Sequence, residues 1–469
     1  LQFPLHRIRI TVIRCIVRIL IGIQHKRFRL RRAKNLKQWI YLKNIFKGDK
    51  VIWIIFLCLC LISIIEVFSA ASTLTYKSGD HWGPITQHSI ILMVGAVVVV
   101  LMHNIPYKWF QVFPVFLYPI SVVLLAFVTL MGVITGDRVN GAARWMSFMG
   151  LQFQPSELAK MAVIIAVSFI LSKKQDDEGA NPKAFKYIMI LTGLVCMLIA
   201  PENLSTAMLL FGVVVLMMFI GRVAFKKLAM LLGGLALVGC LGAVFLLAIP
   251  KDTDIPFLHR FDTWKSRITN FTEKEEVPAA KFDIDKDAQI AHARIAIATS
   301  NVIGKAPGNS IQRDFLSQAF SDFIFAIIIE ELGLVGGAFV VILYIWLLVR
   351  TGRIAQKCER TFPAFLVMGI ALMLVSQAIL NMMVAVGLFP VTGQPLPLIS
   401  KGGTSTLINC AYIGMILSVS RYTAYLEEKK ENPAPLLTQS EGNEAIASEA
   451  QTAAEPTAEV LNSDAKFEE

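Results

Sequence analysis

Glu273, Glu275, Glu276, Asp283, Asp285 and Asp287, closely followed by Gln289, His292 and Arg294, are the densest concentration of acid–base chemistry in the chain. A carboxylate held beside a substrate hydroxyl, with a suitably tuned pKa, can act as a general base. The set also has the oxygen donors to hold a hard divalent cation such as Mg or Mn. Most of these side chains are expected to be solvated, and the residues alone leave open which one is the base.

Three other groupings carry polar chemistry. Arg144 and Trp145 precede Gln154-Pro155-Ser156-Glu157-Leu158-Ala159-Lys160, where Pro155 breaks what comes before and Ser156 is a suitable helix cap. Glu157 and Lys160 then share one helix face at i, i+3. In the second grouping Asp322 opens a helix at its positive end. On a straight helix Glu330 and Glu331 follow about 12–14 Å deeper. A carboxylate near the bilayer midplane costs about 2.5–3.5 kcal/mol on the gentler insertion scale, so it should face a cavity or a cation. The two glutamates cannot share one face, so one is expected to point inward and the other to a neighbouring helix. The third grouping, Gly393 to Ser405, contains Ser400, Lys401, Gly402 and Gly403 and exposes backbone N–H groups beside a lysine. Such a turn suits a phosphate or pyrophosphate.

The elements that must position these residues are membrane helices. The chain is 55% hydrophobic and 17% charged, with a mean hydropathy of +0.60, values of a polytopic membrane protein. Continuous apolar runs predict an all-α protein with about ten spans near 51–71, 86–103, 112–135, 157–172, 187–200, 204–221, 227–249, 321–350, 363–388 and 404–424. Residues 1–50 hold fourteen Lys or Arg against one acid, Asp49. Further basic residues lie at 173–186, 222–227 and 350–360. The positive-inside rule then places both termini in the cytoplasm and the loop at about 250–320, between spans 7 and 8, outside.

The net charge of +11 is accounted for by these cytoplasmic turns facing an anionic leaflet, so no nucleic-acid partner is expected. Residues 1–50 read as a basic cytoplasmic segment, with Leu5 to Arg32 able to lie as an amphipathic helix on the membrane. From about residue 426 the chain becomes an acidic tail expected to be disordered. Most of the seven cysteines lie in apolar spans and imply no disulfide framework.

Taken together, Gln154–Lys160 (QPSELAK), Asp322–Gly333 (DFIFAIIIEELG) and Pro397–Ser405 (PLISKGGTS), in this order on ten spans, resemble the SEDS family of bacterial shape, elongation, division and sporulation proteins over about 51–425. Arg267–Phe271 (RITNF), preceded by Trp264, is more similar to the division branch than to the elongation branch. The resemblance implies a peptidoglycan glycosyltransferase in the bacterial cytoplasmic membrane, at the septum for the division branch. Its substrate is lipid II, and its partners are a class B penicillin-binding protein and other divisome membrane proteins. The implied base is Asp285, just ahead of Gln289, which matches a family glutamine; Asp287, Asp283 and Glu276 are the alternatives. The expected substrate contacts are Arg144, Trp145, Glu157, Lys160, Gln289, Asp322, Glu330, Glu331, Ser400, Lys401, Gly402 and Gly403. The chain departs from the family pattern at Ala288 and Lys401, both usually Tyr, at Thr404, usually Ser, and at Asn203, usually Asp. Two other functions suit a membrane cavity with carboxylates: a lipid II flippase, and a scaffold that activates its partner. Simple translocation does not require the long acidic loop.

Overall fold

The computed structural model describes residues 47–70, 83–135, 145–148, 151–176, 179–248, 287–316 and 319–431. The helices there are α1 (Lys50–Ala70), α2 (Gly83–Asn104), α3 (Phe113–Thr135), α4 (Pro155–Lys173), α5 (Pro182–Ile220), α6 (Phe225–Ala248), α7 (Asp287–Ala298), α8 (Ile324–Gln356), α9 (Thr361–Ala385) and α10 (Thr404–Glu431). Two short antiparallel pairs, Met146–Phe148 with Leu151–Phe153 and Gln175–Asp176 with Gly179–Ala180, close turns between helices. Residues 1–46 and 432–469, which hold most of the expected basic segment and acidic tail, lie outside the described residues. The chain from Thr423 forms a separate compact unit, of which the described part is the end of α10.

Eight of these helices are long and apolar enough to cross a bilayer. Among the described residues, two further features bear on the expected ten passes. First, α5 is two helices meeting at Asn203, whose φ of −152° and ψ of 80° are non-helical. Cys196 Sγ lies 3.6 Å from the Ala207 carbonyl, whereas eleven residues of straight helix would separate them by about 16 Å. The two arms therefore fold back on each other. Pro201 lies just before the corner, and Asn203 Oδ1 accepts from the Thr206 N–H at 3.2 Å to start the second arm. Second, α10 is less apolar because it is lined by other helices instead of lipid: Asn409, Ser418 and Tyr412 are all buried. It packs closely on α2, with Gly95 against Cys410 and Gly414 against Val99 and Met102. Small residues permit that approach.

The helix expected at 321–350 differs from a straight span. At Gly333 (φ 73°, ψ −176°) α8 breaks into a short helix over 324–332 and a long arm over 334–356. The long arm spans about 34 Å, enough to cross alone. Residues 324–331 are buried throughout. The break needs glycine on both sides of the contact. A Cβ on Gly333 would lie 2.3 Å from the Val302 carbonyl oxygen, and one on Gly304 (φ 83°) would lie 2.3 Å from Gly333 N.

The bundle is centred on α4, which packs against α3, α5 and α9, while α9 also packs against α8. The α4 positions from Ala159 to Val167 are buried. On the periphery α3 and α6 expose Val115, Phe116, Val123, Leu235, Leu237, Val238 and Leu241. Apolar surface on that scale is stable against hydrocarbon and not against water.

Candidate functional site

Pro155 is the first residue of α4 and Gln154 its N-cap. Proline suits the first helical position because its missing N–H would be unpaired there anyway. Ser156, expected as the cap, instead leaves its hydroxyl buried without a partner. One turn on, Glu157 Oε1 meets Lys160 Nζ at 2.8 Å, and both side chains are almost fully buried. Lys160 also donates to Gln377 Oε1 of α9 at 3.0 Å, and Glu157 Oε2 accepts from Ser405 of α10 at 3.3 Å. The pair therefore ties three helices together at the core.

The turn before α10 is held from several sides. Ser400 Oγ donates to the Ser321 carbonyl at 2.6 Å and accepts from the Leu396 N–H at 2.8 Å. Asn381 donates to the carbonyls of Asp322 and Gln394 at 2.9 and 2.8 Å, and Gln394 donates to Thr206 at 2.6 Å. Ser63 of α1 donates to the Ile399 carbonyl at 2.6 Å. Tyr344 of α8 donates to the Pro397 carbonyl. Ser400 and Asp322 thus have defined structural contacts. Lys401 is different: its ammonium sits 5.7 Å from the Phe320 ring centre. Partial burial holds its pKa below the usual lysine range. Gly402 and Gly403 follow it, immediately before α10 begins at Thr404.

Glu330 and Glu331 are fully buried at the corner of α8, not part-way along a straight span. Glu330 takes the Lys305 ammonium at 2.7 Å, the Ser310 hydroxyl, and the N–H groups of Ile311 and Gln312 at 3.2 and 3.3 Å. Glu331 accepts from the N–H groups of Gly308 and Ser310 at 3.1 and 3.2 Å and from Ser69 of α1, with Arg313 Nη1 at 3.8 Å. The break at Gly333 accounts for the change in place. It brings the segment after α7 down onto the corner, so loop donors satisfy charges that a straight helix would have carried towards the midplane.

Of the loop acids, Glu273, Glu275, Glu276, Asp283 and Asp285 lie outside the described residues, as does Arg144. Asp287 is the first residue of α7, and Gln289 is half-buried in its first turn. His292 stacks on Phe315 with ring centres 5.0 Å apart, and its Nδ1 is 2.7 Å from Gln312 Oε1. Trp145 is half-buried just before the Met146–Phe148 strand. Among the described residues no group of three or more His, Cys, Asp or Glu is arranged to hold a metal.

Sequence reasoning missed a cleft between α3, α4 and the elbow of α5. Leu125 and Val128 of α3, Ser156 of α4 and Glu202 and Asn203 of α5 are among its lining residues. The Ser156 hydroxyl and the Asn203 amide nitrogen are buried there without partners. It also missed Glu66, fully buried in α1 with both oxygens unpartnered. A carboxylate near the end of the first apolar run was a visible signal. Gln377 and Asn381, the two amide side chains of a largely apolar α9, were another.

These features define a polytopic helical membrane protein whose polar core residues gather around one set of helix ends. The sequence model of the FtsW/RodA/SpoVE cell cycle proteins matches residues 49–425, and the chain belongs to that family. It is 30% identical over 387 residues to the "Probable peptidoglycan glycosyltransferase FtsW" of Halomonas elongata, covering 81% of this chain and 92% of that protein. The protein of the same name from Geobacter metallireducens is 30% identical over 393 residues, covering 82% and 98%. Among solved structures, a chain of a peptidoglycan synthase complex that coordinates polymerization and crosslinking superposes with a TM-score of 0.63 at 24% identity, covering 81% of this chain and 99% of that one. The rod shape determining protein RodA of Thermus thermophilus gives 0.55 at 23% identity, covering 81% and 98%. These two likenesses establish a shared fold.

Proposed function

We propose that the chain is a peptidoglycan glycosyltransferase of the division branch, polymerising lipid II at the outer face of the bacterial cytoplasmic membrane. The observation that carries this reading is the 30% identity, over nearly their whole length, to proteins named peptidoglycan glycosyltransferase FtsW. Septal location, a class B penicillin-binding protein and other divisome membrane proteins as partners follow from the same kinship.

The arrangement of the basic turns supports cytoplasmic termini. Asp49, at the start of α1, bonds Arg350 of α8 at 2.5 Å, and Arg421 of α10 reaches Asn104 of α2 at 3.3 Å. The Ala180 N–H donates to the Arg222 carbonyl at 3.2 Å, joining two more Lys- and Arg-bearing turns. Paired basic ends of this kind suit the inner leaflet. The acidic loop then faces outward.

In the reaction a sugar 4-hydroxyl attacks the anomeric carbon of the lipid-linked chain with inversion. The hydroxyl proton passes to Asp285, and the undecaprenyl pyrophosphate leaves with the bonding electron pair. Lys401 and the N–H groups that follow it suit the departing diphosphate. A Mg or Mn ion would find oxygen ligands in the acidic run 273–287 and would offset the diphosphate charge.

The purified full-length protein in liposomes containing lipid II and no other polymerase tests this reading. Glycan strands are expected. Movement of lipid II between leaflets without strand formation would instead establish a flippase, and neither activity would leave a scaffold.

A further inference from the structure

The elbow at Asn203 returns the end of α5 to the place where the helix began, and two basic turns meet there. Lys173 and Lys174 lie at the end of α4, Lys183 opens α5, and Arg222, Lys226 and Lys227 lead into α6. The Asn181 N–H donates to the Lys174 carbonyl at 2.9 Å and closes the first turn. The Ala180 N–H then donates to the Arg222 carbonyl of the second at 3.2 Å. A Cβ on Gly179 (φ 136°) would lie 2.8 Å from that same carbonyl oxygen, so the two turns are in close contact.

Three of the lysines lie over aromatic rings. The ammonium of Lys174 is 4.8 Å from the centre of Tyr187, that of Lys227 5.8 Å from Phe185 and that of Lys173 6.0 Å from Phe169. A ring face orients an ammonium without removing its charge. Among the described residues no carboxylate pairs with any cation of the two turns. The side chains of Asp176, Asp177 and Glu178 lie outside the described residues.

Arg222 shows that the charge is placed and not merely tolerated. The end of α5 is a Schellman turn: the Arg222 N–H donates to the Phe219 carbonyl at 3.1 Å and the Val223 N–H to the Met218 carbonyl at 3.0 Å. The residue in the left-handed position of such a turn is usually glycine, because a Cβ there is strained. Here that position is Arg222 at φ 56°, with its side chain exposed. A cation needed only to mark the cytoplasmic side could stand at any neighbouring exposed position. From Tyr187, under Lys174, an exposed apolar stripe runs along α5 through Ile190, Leu194 and Met197. Their spacing of three and four residues keeps them on one face.

We infer that Lys174, Arg222 and Lys227 form a headgroup site for an anionic lipid with two phosphates, a diphosphatidylglycerol, whose acyl chains lie along that stripe. Arginine's fork matches phosphate oxygens, and basic pockets between membrane helices at the cytoplasmic leaflet suit such headgroups. The cations outnumber the single negative charge of one phosphodiester, and a second phosphate on the same molecule binds at a high effective concentration. The inference rests on the proposed orientation, with these turns at the cytoplasmic face.

The test uses purified full-length protein, with lipid retention read by native mass spectrometry from micelles supplied with diphosphatidylglycerol or with phosphatidylglycerol at equal phosphate. Wild type is compared with the triple variant Lys174→Gln, Arg222→Gln, Lys227→Gln, and with a control triple, Lys50→Gln, Lys108→Gln, Arg353→Gln, which removes the same charge elsewhere. Wild type should prefer diphosphatidylglycerol, and its apparent Kd should rise at least about tenfold in the site triple and less than about twofold in the control. Arg222→Gly is the second measure. It should weaken retention while the melting temperature stays level or rises, because glycine relieves the left-handed position. Equal losses in the two triples would overturn the inference by leaving only diffuse attraction. So would no preference between the two lipids, or an Arg222→Gly protein that retains lipid as wild type does. If the site binds as expected but Lys183→Cys in intact cells is labelled from outside, the site exists and the proposed orientation is what fails.

Discussion

Replacing Lys160 with Met leaves the Glu157 carboxylate in the centre of the bundle without its cation. Three contacts define the loss. The 2.8 Å ion pair disappears, as does the 3.0 Å bond from Lys160 to Gln377, and Glu157 keeps the 3.3 Å bond from Ser405. Breaking a buried pair from one side costs about 3–5 kcal/mol, because the remaining charge keeps its desolvation penalty. Polar bonds in membrane bundles add only about 0.6 kcal/mol each on average. The expected total is about 4 kcal/mol, close to a thousandfold in the folding equilibrium. The double variant Glu157→Gln with Lys160→Met removes both charges and should recover most of that loss. Reversible unfolding in mixed micelles, run as a double-mutant cycle, measures the coupling. A Lys160→Met protein as stable as wild type would refute the reasoning, since Glu157 could not then be a desolvated charge in need of Lys160.

Lys401 provides a test through pH. Burial disfavours its charged form, so the amine gives up its proton at a lower pH than an ordinary lysine. Folding stability should therefore rise as pH climbs from that lowered value towards the ordinary one, while retention of an anionic diphosphate weakens over the same window. KM for lipid II in wild type should increase on the alkaline side, and Lys401→Arg should remove that limb; a flat wild-type profile would contradict the assignment. Gly333→Ala should destabilise by at least the 1–3 kcal/mol of a strained backbone, because its φ is 73° and its Cβ has no space. Gly234→Ala, with nothing within 4 Å, should melt like wild type. Burial pushes the Cys358 thiol, in the turn between α8 and α9, up to about 12. Its alkylation at pH 8 should therefore be much slower than that of a free thiol, and a rate equal to that of a model thiol would show the turn to be open.

Much of this architecture was legible because lipid imposes a simple pattern. Helices α1, α2, α3, α6 and α9 are apolar along their length and stand out on hydropathy. The corner at Asn203 was also legible, since Pro201 and the polar pair Glu202–Asn203 separate two apolar runs. The break at Gly333 was not. A single glycine inside an apolar helix is common, and the signal that it turns the chain is Gly304, twenty-nine residues away, pressed against it. That is why Glu330 and Glu331 were placed at depth when they close a loop. The same limit applies to the site. Glu157 and Lys160 were paired correctly by i, i+3 spacing, but their partners Gln377 and Ser405 come from distant helices that no local pattern links. Ser400 looked like a ligand for a phosphate, and its hydroxyl is taken up by Ser321 and Leu396.

The central claim, that a carboxylate of the outer loop is the base of the glycosyl transfer, is tested most directly by lipid II polymerisation with single substitutions at Glu276, Asp283, Asp285 and Asp287. The account predicts that Asp285→Asn abolishes strand formation while the protein folds and inserts normally, because one loop carboxylate contributes little to stability. Full polymerisation by all four single variants would contradict it.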